Sequence, residues 1–275
     1  MPEKVINRIK PKIVGVLTSD NTRALFHGHG PDDQFVNQVS TCDILEFRAD
    51  TFSGPEIIKA LTVIRDYFDK NLQVNAKGKP LLFTLRLERD SGKWRGSPVS
   101  RQPLFQEVIA KNLVDWVDIE IEEAGNFPAQ LFDLIRNSSV KLMVSHHNFK
   151  KSYSFAGFSS LLKEMAEFQP DIIKFAVTVR SYNELEILLD FSKKLSKDYP
   201  LSCVISMGAF AKQSRIGSPA IGAPITYGYL GPESTIAAQI EVCELSQGLK
   251  KILNKEPFTY TSRQLIDLMD RELDV

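Results

Sequence analysis

The ionisable side chains that could do chemistry in this sequence stand inside short apolar runs. Lys174 lies in Ile172-Ile173-Lys174-Phe175-Ala176-Val177. Side chains of an extended strand alternate between its two faces. Ile173, Phe175 and Val177 then share one face, while Lys174 and the small Ala176 share the other. A lysine enclosed in an apolar interior is costly unless it is paired or used. The same cost favours the neutral, nucleophilic amine, which can attack a ketone and form an imine. Pairing with a carboxylate and snorkelling from the strand end are the structural alternatives.

The neighbouring runs carry the matching groups. In Leu45-Glu46-Phe47-Arg48-Ala49-Asp50, the three charged residues share a face. Thr84 and Arg86 share a face of the next run, opposite Phe83 and Leu85. Two arginines on the same side of adjacent strands suit recognition of an anionic ligand. Asp118 and Glu120, opposite Val117, Ile119 and Ile121, read as a buried structural ion network. In Met143-Val144-Ser145-His146-His147, alternation separates the histidines. His147 falls on the lysine's side, where it can transfer protons, and His146 falls on the other.

His27 and His29, in Phe-His-Gly-His-Gly, suit a surface or lid loop. With His146 turned away, the ligand count of a metal centre does not assemble, and no metal is expected. After Ser206-Met207-Gly208 come Ser214 and Arg215, and after Tyr227 comes a segment holding Gly231, Ser234, Thr235 and Gln239. Glycines followed by polar residues suit loops that close over a site. Neither segment is a Walker or GxGxxG pattern, so no nucleotide cofactor is indicated.

The elements that must position these groups are visible as alternation along the chain. Strands are expected over Ile13–Thr18, Ile44–Asp50, Pro80–Arg86, Val114–Ile121, Val140–His147, Ile172–Val177, Leu201–Gly208 and Pro224–Leu230. Near-continuous apolar runs of this kind fit parallel strands covered on both faces. Amphipathic helices are expected over Pro55–Lys70, Phe155–Phe168, Tyr182–Leu195 and Ser234–Ile252, with Ser181 as an N-cap and Glu184 as its capping-box partner. Repeated βα units in 275 residues, with no low-complexity stretch or linker, point to a single-domain (β/α)8 TIM barrel. Active sites of that fold lie at the C-terminal ends of the strands, where the polar groups above fall.

Composition narrows the function classes. Lys+Arg and Asp+Glu both total 34, so net charge is zero and no nucleic acid or anionic membrane is expected as a partner. Cys42, Cys203 and Cys243 are far apart and suit reduced thiols in a cytoplasmic protein better than a disulfide framework or zinc site. The N-terminus has no apolar stretch of a secretory signal, and no run approaches the ~18 apolar residues of a membrane span.

From Pro11 to about Leu249 the chain resembles the type I 3-dehydroquinate dehydratases of the shikimate pathway. The resemblance is carried by Glu46-Phe-Arg-Ala-Asp50, Ser145-His-His-Asn-Phe149, Ile173-Lys-Phe-Ala176, and Ser206-Met-Gly208 followed by Ser214-Arg215. It implies a cofactor-free barrel, usually a homodimer, that dehydrates 3-dehydroquinate to 3-dehydroshikimate. By resemblance, Lys174 is the imine lysine and His147 the general base and acid. Glu46, Arg48, Arg86 and Arg215 then line the substrate site, Met207 and Tyr227 form apolar walls, and Ser234 and Gln239 close over the substrate. The sequence departs from the family in places. Asp90 stands where the family commonly has a glutamate that orients the histidine, with Glu88 as a rival. The closing segment is one residue longer than usual, so Thr235 competes with Ser234. The tail from about Thr259 has no counterpart in the resemblance. Another lysine-imine barrel enzyme of the aldolase type, and a non-catalytic ligand-binding relative, are the competing readings.

Overall fold

The computed structural model describes residues 10–26, 31–71, 78–97, 99–232, 239–256 and 259–273. Its strands are β1 (Lys12–Leu17), β2 (Ile44–Arg48), β3 (Leu81–Thr84), β4 (Trp116–Glu120), β5 (Lys141–Asn148), β6 (Ile172–Thr178), β7 (Ser202–Met207) and β8 (Ile225–Tyr229). They form one parallel sheet in the order β7-β6-β5-β4-β3-β2-β1-β8, and β7 and β8 meet so that the ring is nearly closed. The longer helices are α1 (Asp33–Thr41), α2 (Ile57–Lys70), α3 (Gln102–Ala110), α4 (Ala129–Arg136), α5 (Phe155–Ala166), α6 (Tyr182–Asp198), α7 (Ala211–Ala220), α8 (Val242–Leu253) and α9 (Ser262–Glu272). This is the (β/α)8 barrel that the alternating runs imply.

Strand alternation sorts the apolar residues into two separate clusters. Leu45, Phe47, Phe83, Val117, Ile119, Val144, Ile173, Phe175 and Val177 pack outward with the helices. Val14, Val16, Ile44, Leu82, Trp116, Met143, Ile172, Ala176, Cys203, Ile205 and Tyr227 pack inside the ring. The helices meet the outer cluster through stripes at three- and four-residue steps. In α2 these are Ile57, Ala60, Leu61, Ile64 and Phe68.

Register is pinned at the N-terminal end of the ring. Asp43, Asp115 and Asp171, each just before an even-numbered strand, accept the backbone N–H of Ile13, Leu81 and Leu142 on the preceding odd one, at 2.9, 2.7 and 2.9 Å. A one-residue slip would turn every inward charge to the helices, so these carboxylates protect the placement of the polar groups at the far end.

Two local expectations need correction. The last barrel helix does not begin near Ser234. Residues 239 and 240 are not helical, and α8 starts at Val242, where the Glu241 side chain accepts the N–H of Cys243 and Glu244. Ser181 does cap α6, but Glu184 reaches back to the N–H of Arg180 rather than that of Ser181. A full capping box occurs instead at Thr261 and Gln264, opening α9. The unmatched tail thus folds as a helix, burying Leu265, Ile266, Leu268 and Met269, and it packs on α6, α7 and α8. Among the described residues no helix is long and apolar enough to cross a membrane.

Candidate active site

Lys174 sits on β6 with Ser145 of β5 and Cys203 of β7 beside it in register. Its side chain is 5% exposed. Its Nζ lies 3.9 Å from Asp118 Oδ2 and 4.0 Å from the centroid of the Tyr227 ring. The amine therefore has a loose carboxylate contact and an aromatic face beneath it. Tyr227 is buried, which pushes its phenol well above the ordinary range, and its hydroxyl donates to Met143 Sδ.

Arg86 organises the wall between Lys174 and His147. Its Nη2 donates to Asp118 Oδ2 at 2.5 Å. Its Nη1 lies 3.0 Å from Glu120 Oε1, 3.2 Å from Ser145 Oγ and 3.3 Å from His147 Nδ1. The two hydrogens of Nη1 go to Ser145 and His147, and the histidine contact is the longest. The Glu120 contact is an ion pair whose oxygen accepts no hydrogen bond among the described residues. Burial opposes the Arg86 cation, but Asp118 and Glu120 outweigh it and hold the guanidinium above its ordinary pKa. Burial opposes the Asp118 carboxylate too, and Arg86 with Lys174 holds that group below its ordinary range.

His147 is held well below an ordinary imidazole, first by burial and then by the Arg86 and Lys174 charges. It is therefore neutral at pH 7. Arginine can only donate, so Nδ1 accepts and the ring proton is assigned to Nε2. Phe149 stacks against the ring at 6.5 Å and 17°. His146 points the other way, as alternation requires. It bonds to Glu122 and, at 3.0 Å, to the Tyr153 hydroxyl, and it packs edge-on to Phe175 in the helix layer.

At the end of β2, Arg48 makes a two-point pair with Asp50, both contacts at 2.9 Å. Asp50 also accepts the N–H of Arg86 and of Lys93. Burial opposes its charge, and these donors hold its carboxyl below the usual range. Arg48 therefore reaches the cavity already neutralised.

Arg215 does not. It comes from α7, reached through the β7 turn at Gly208, whose φ of +79° suits glycine. Ser214 Oγ stitches this helix to the strand, accepting Ser206 N–H at 2.7 Å and donating to Ala211 O at 3.1 Å. Arg215 Nη1 donates to Ser206 O and Ala211 O at 2.6 and 3.1 Å. Among the described residues its Nε is a buried donor with no acceptor, and no carboxylate pairs with this cation. Burial pulls its pKa down to about 10.

The loop after β3 separates Asp90 from Glu88. Both lie in a 3-10 turn, Glu88–Asp90, closed by Ser91 in the left-handed region. Gly92 then passes so close to Arg86 that an added Cβ would lie 2.1 Å from the Arg86 carbonyl oxygen. The chain has turned by this point, as the glycine suggests. Asp90 lines the cavity, with its carboxyl raised by burial and by Glu120. Glu88 is exposed and pairs with Arg95. Asp90 itself lies 3.4 Å from Arg89 Nε, and the ring nitrogen of His147 meets Arg86 rather than Asp90.

One cavity joins these groups. Of the residues singled out in the sequence, Glu46, Arg48, Arg86, Asp90, His147, Lys174, Met207, Arg215, Tyr227 and Gln239 line it. Ser91, Phe149, Ala176 and Ile205 line it as well, without having been expected as site residues. Phe149 and Ala176 end two of the motifs quoted above, and that was the available signal. Ser234, Thr235, His27 and His29 lie outside the described residues. The arrangement provides an enclosed amine, a neutral imidazole and an uncompensated guanidinium facing one cavity. That suits imine chemistry on a small ketone bearing an anionic group.

Comparison with known proteins points the same way. The family model for type I 3-dehydroquinase matches residues 32–256. The 3-dehydroquinate dehydratase of Clostridium novyi is 27% identical over 215 residues, covering 78% of this chain and 83% of its own length. The catabolic 3-dehydroquinate dehydratase of Acinetobacter baylyi is 29% identical over 219 residues, covering 79% and 78%. The crystal structure of the type I 3-dehydroquinate dehydratase of Clostridium difficile with covalent modified comenic acid superposes with a TM-score of 0.73. It is 23% identical and covers 90% of this chain and 93% of that one, a likeness of fold. Helix α9 lies beyond the family match.

Proposed function

The chain belongs to the type I 3-dehydroquinase family, and we infer from that membership and from the cavity that it is a lyase converting 3-dehydroquinate to 3-dehydroshikimate and water through an imine on Lys174. The observation that carries this reading is Arg215, a buried cation with no carboxylate partner among the described residues, facing the cavity that holds Lys174 and His147. A substrate carboxylate supplies the missing partner through a planar fork. The Lys174 amine attacks the ketone carbon, water leaves, and the protonated imine becomes an electron sink.

His147 takes a proton from the carbon next to the imine, leaving an enamine. It returns a proton to the departing hydroxyl, which leaves as water. Hydrolysis of the conjugated imine frees the amine. For the first of these transfers Nε2 must be bare, so the ring proton moves to Nδ1. Asp90 is the carboxylate proposed to receive that Nδ1–H once the ring leaves Arg86. Glu46, Arg48 and Arg86 are proposed to meet the ring hydroxyls, with Met207 and Tyr227 as walls. Gln239, together with Ser234 or Thr235, is proposed to cover the substrate. A homodimer, a single functional domain and a cytoplasmic setting are proposed on the same resemblance and on the three unpaired cysteines.

Borohydride reduction of enzyme mixed with 3-dehydroquinate tests the reading. It should fix ligand mass at Lys174, and Lys174→Ala should abolish both the adduct and the appearance of dehydroshikimate absorbance. Undiminished labelling in that variant would overturn the assignment.

A further inference from the structure

Arg101 lies just before α3, in a polar stretch that gives no hint of a role, yet its side chain is fully buried. It lies against the Phe127 ring, 5.4 Å from the centroid. Its Nη1 donates to Leu85 O at 2.8 Å and to Glu120 Oε2 at 2.7 Å. Arg101 is not among the residues lining the cavity. Its partner Glu120, however, presents its other oxygen to Arg86 Nη1, the nitrogen that also meets Ser145 and His147. One chain of contacts therefore runs Arg101, Glu120, Arg86, His147, with Asp118 bound to the other end of Arg86.

Two features of this chain make Arg101 more than a structural buttress. First, its four charged members, Arg101, Glu120, Arg86 and Asp118, balance two against two. Removing Arg101 leaves a buried carboxylate excess with Arg86 as its nearest cation, and an unbalanced buried charge is costly. Second, Nη1 of Arg86 gives its two hydrogens to Ser145 and His147, while Glu120 Oε1, 3.0 Å from the same nitrogen as an ion pair, accepts no hydrogen bond among the described residues. A Glu120 carboxylate released from Arg101 can turn to take one of those hydrogens, and the His147 contact, at 3.3 Å, is the longer of the two.

We propose that Arg101 is a positioning residue of the reaction: by holding Glu120 from behind, it fixes where the Arg86 guanidinium stands and so which ring nitrogen of His147 carries the proton between turnovers. Its effect on turnover rests on the dehydration proposed above, whereas its effect on the His147 ring does not. Substrate affinity is left largely to Arg215 on the far wall. Loss of Arg101 therefore falls on kcat more than on KM.

A four-protein cycle tests this: wild type, Arg101→Met, Glu120→Gln and the double variant. Arg101→Met should lower kcat by roughly ten- to a hundred-fold, the scale of coupling within one ion network, with KM within about three-fold. The double variant, which leaves neither charge stranded, should recover most of that loss. A role confined to packing the β3–α3 connection predicts no such rescue. In parallel, the ring ¹⁵N shifts of His147 in the substrate-free proteins report whether Nδ1 still accepts a hydrogen bond. They should change in Arg101→Met and return in the double variant. If wild type fails to dehydrate 3-dehydroquinate, the functional reading fails while the ring shifts still judge Arg101. If Arg101→Met does not fold, Arg101→Lys keeps the charge but not the two-point hold, and should give a smaller change of the same sign. Unchanged ring shifts in a folded variant, or a double variant no better than Arg101→Met, would overturn the proposal.

Discussion

Replacing Arg215 with methionine should raise KM for 3-dehydroquinate by about a hundred-fold and leave the fold close to its original stability. The magnitude follows from the charge the barrel already carries. Burial pulls the Arg215 pKa down to about 10, which at ~1.4 kcal/mol for each pKa unit below an ordinary guanidinium is roughly 3 kcal/mol of unfavourable free energy. A bound carboxylate relieves an amount of this order, equal to about two powers of ten in affinity. The sign is fixed by linkage. The folded pKa is depressed for a base, so the penalty is present at every pH below about 10 and fades only above it. The difference between wild type and variant should therefore be flat from pH 6 to 9. Stability moves little because two terms oppose. Removing the cation releases the penalty, but the Ser206 and Ala211 carbonyls lose a donor at 2.6 and 3.1 Å, worth about 1–1.5 kcal/mol each. Arg215→Lys keeps the charge without the fork and should raise KM by about ten-fold. Initial rates from dehydroshikimate absorbance, with thermal melts alongside, measure both quantities. An unchanged KM with collapsed kcat in Arg215→Met would refute the carboxylate role.

The histidine pair should divide function from stability. His147→Ala should cut turnover ~10²-fold or more; His146→Ala should cost about 1–2 kcal/mol in the melt through its lost Glu122 and Tyr153 contacts and leave turnover within a few-fold. Equal catalytic losses would contradict the strand register. Because His147 is held well below the ordinary imidazole range, the acid limb of kcat/KM should lie below pH 6.5, and a limb at or above that value would contradict the stated environment. Asp90→Asn should lower turnover more than Glu88→Gln, since only Asp90 lines the cavity, and the reverse order in folded proteins would remove Asp90 from the mechanism.

What the sequence disclosed was whatever alternation controls. The inward side of β6 is legible because Lys174 and Ala176 interrupt a bulky run. The two histidines separate because adjacent strand residues face opposite ways. Asp118 and Glu120 read as an ion network, and they bind Arg86, Arg101 and, loosely, Lys174. Outside the strands alternation fails. Asp90 and Glu88 have the same parity, and their separation depends on a 3-10 turn whose shape is set by Gly92 packing on Arg86. Arg101 was invisible for a related reason: it stands at a helix entrance among polar residues, and nothing local says its side chain turns inward. The start of α8 is not legible in the sequence because the segment from Ser234 is compatible with a helix, whereas the Glu241 cap sets the first helical residue at Val242, about two turns later.

The charges around the cavity also say how a substrate would lie in it. Arg48 is neutralised by Asp50, Arg86 by Asp118 and Glu120, and Arg101 by Glu120. Each of those cations can still donate a hydrogen bond, but none attracts a carboxylate strongly, because its own carboxylate is in contact. Arg215 has no such partner among the described residues, and it approaches from β7 and α7. Glu46 faces the same cavity from β2, across β8 and β1 in the ring. The cavity is thus polarised across its width, positive at β7 and acceptor-rich at β2, with Lys174 and His147 on the β5–β6 wall joining the two. A small ring with a carboxylate at one end and hydroxyls at the other fits this polarity in one orientation. Turned around, it would set its carboxylate against Glu46 and leave Arg215 unpaired, so on the proposed reading the buried charges would orient the substrate before any covalent bond forms.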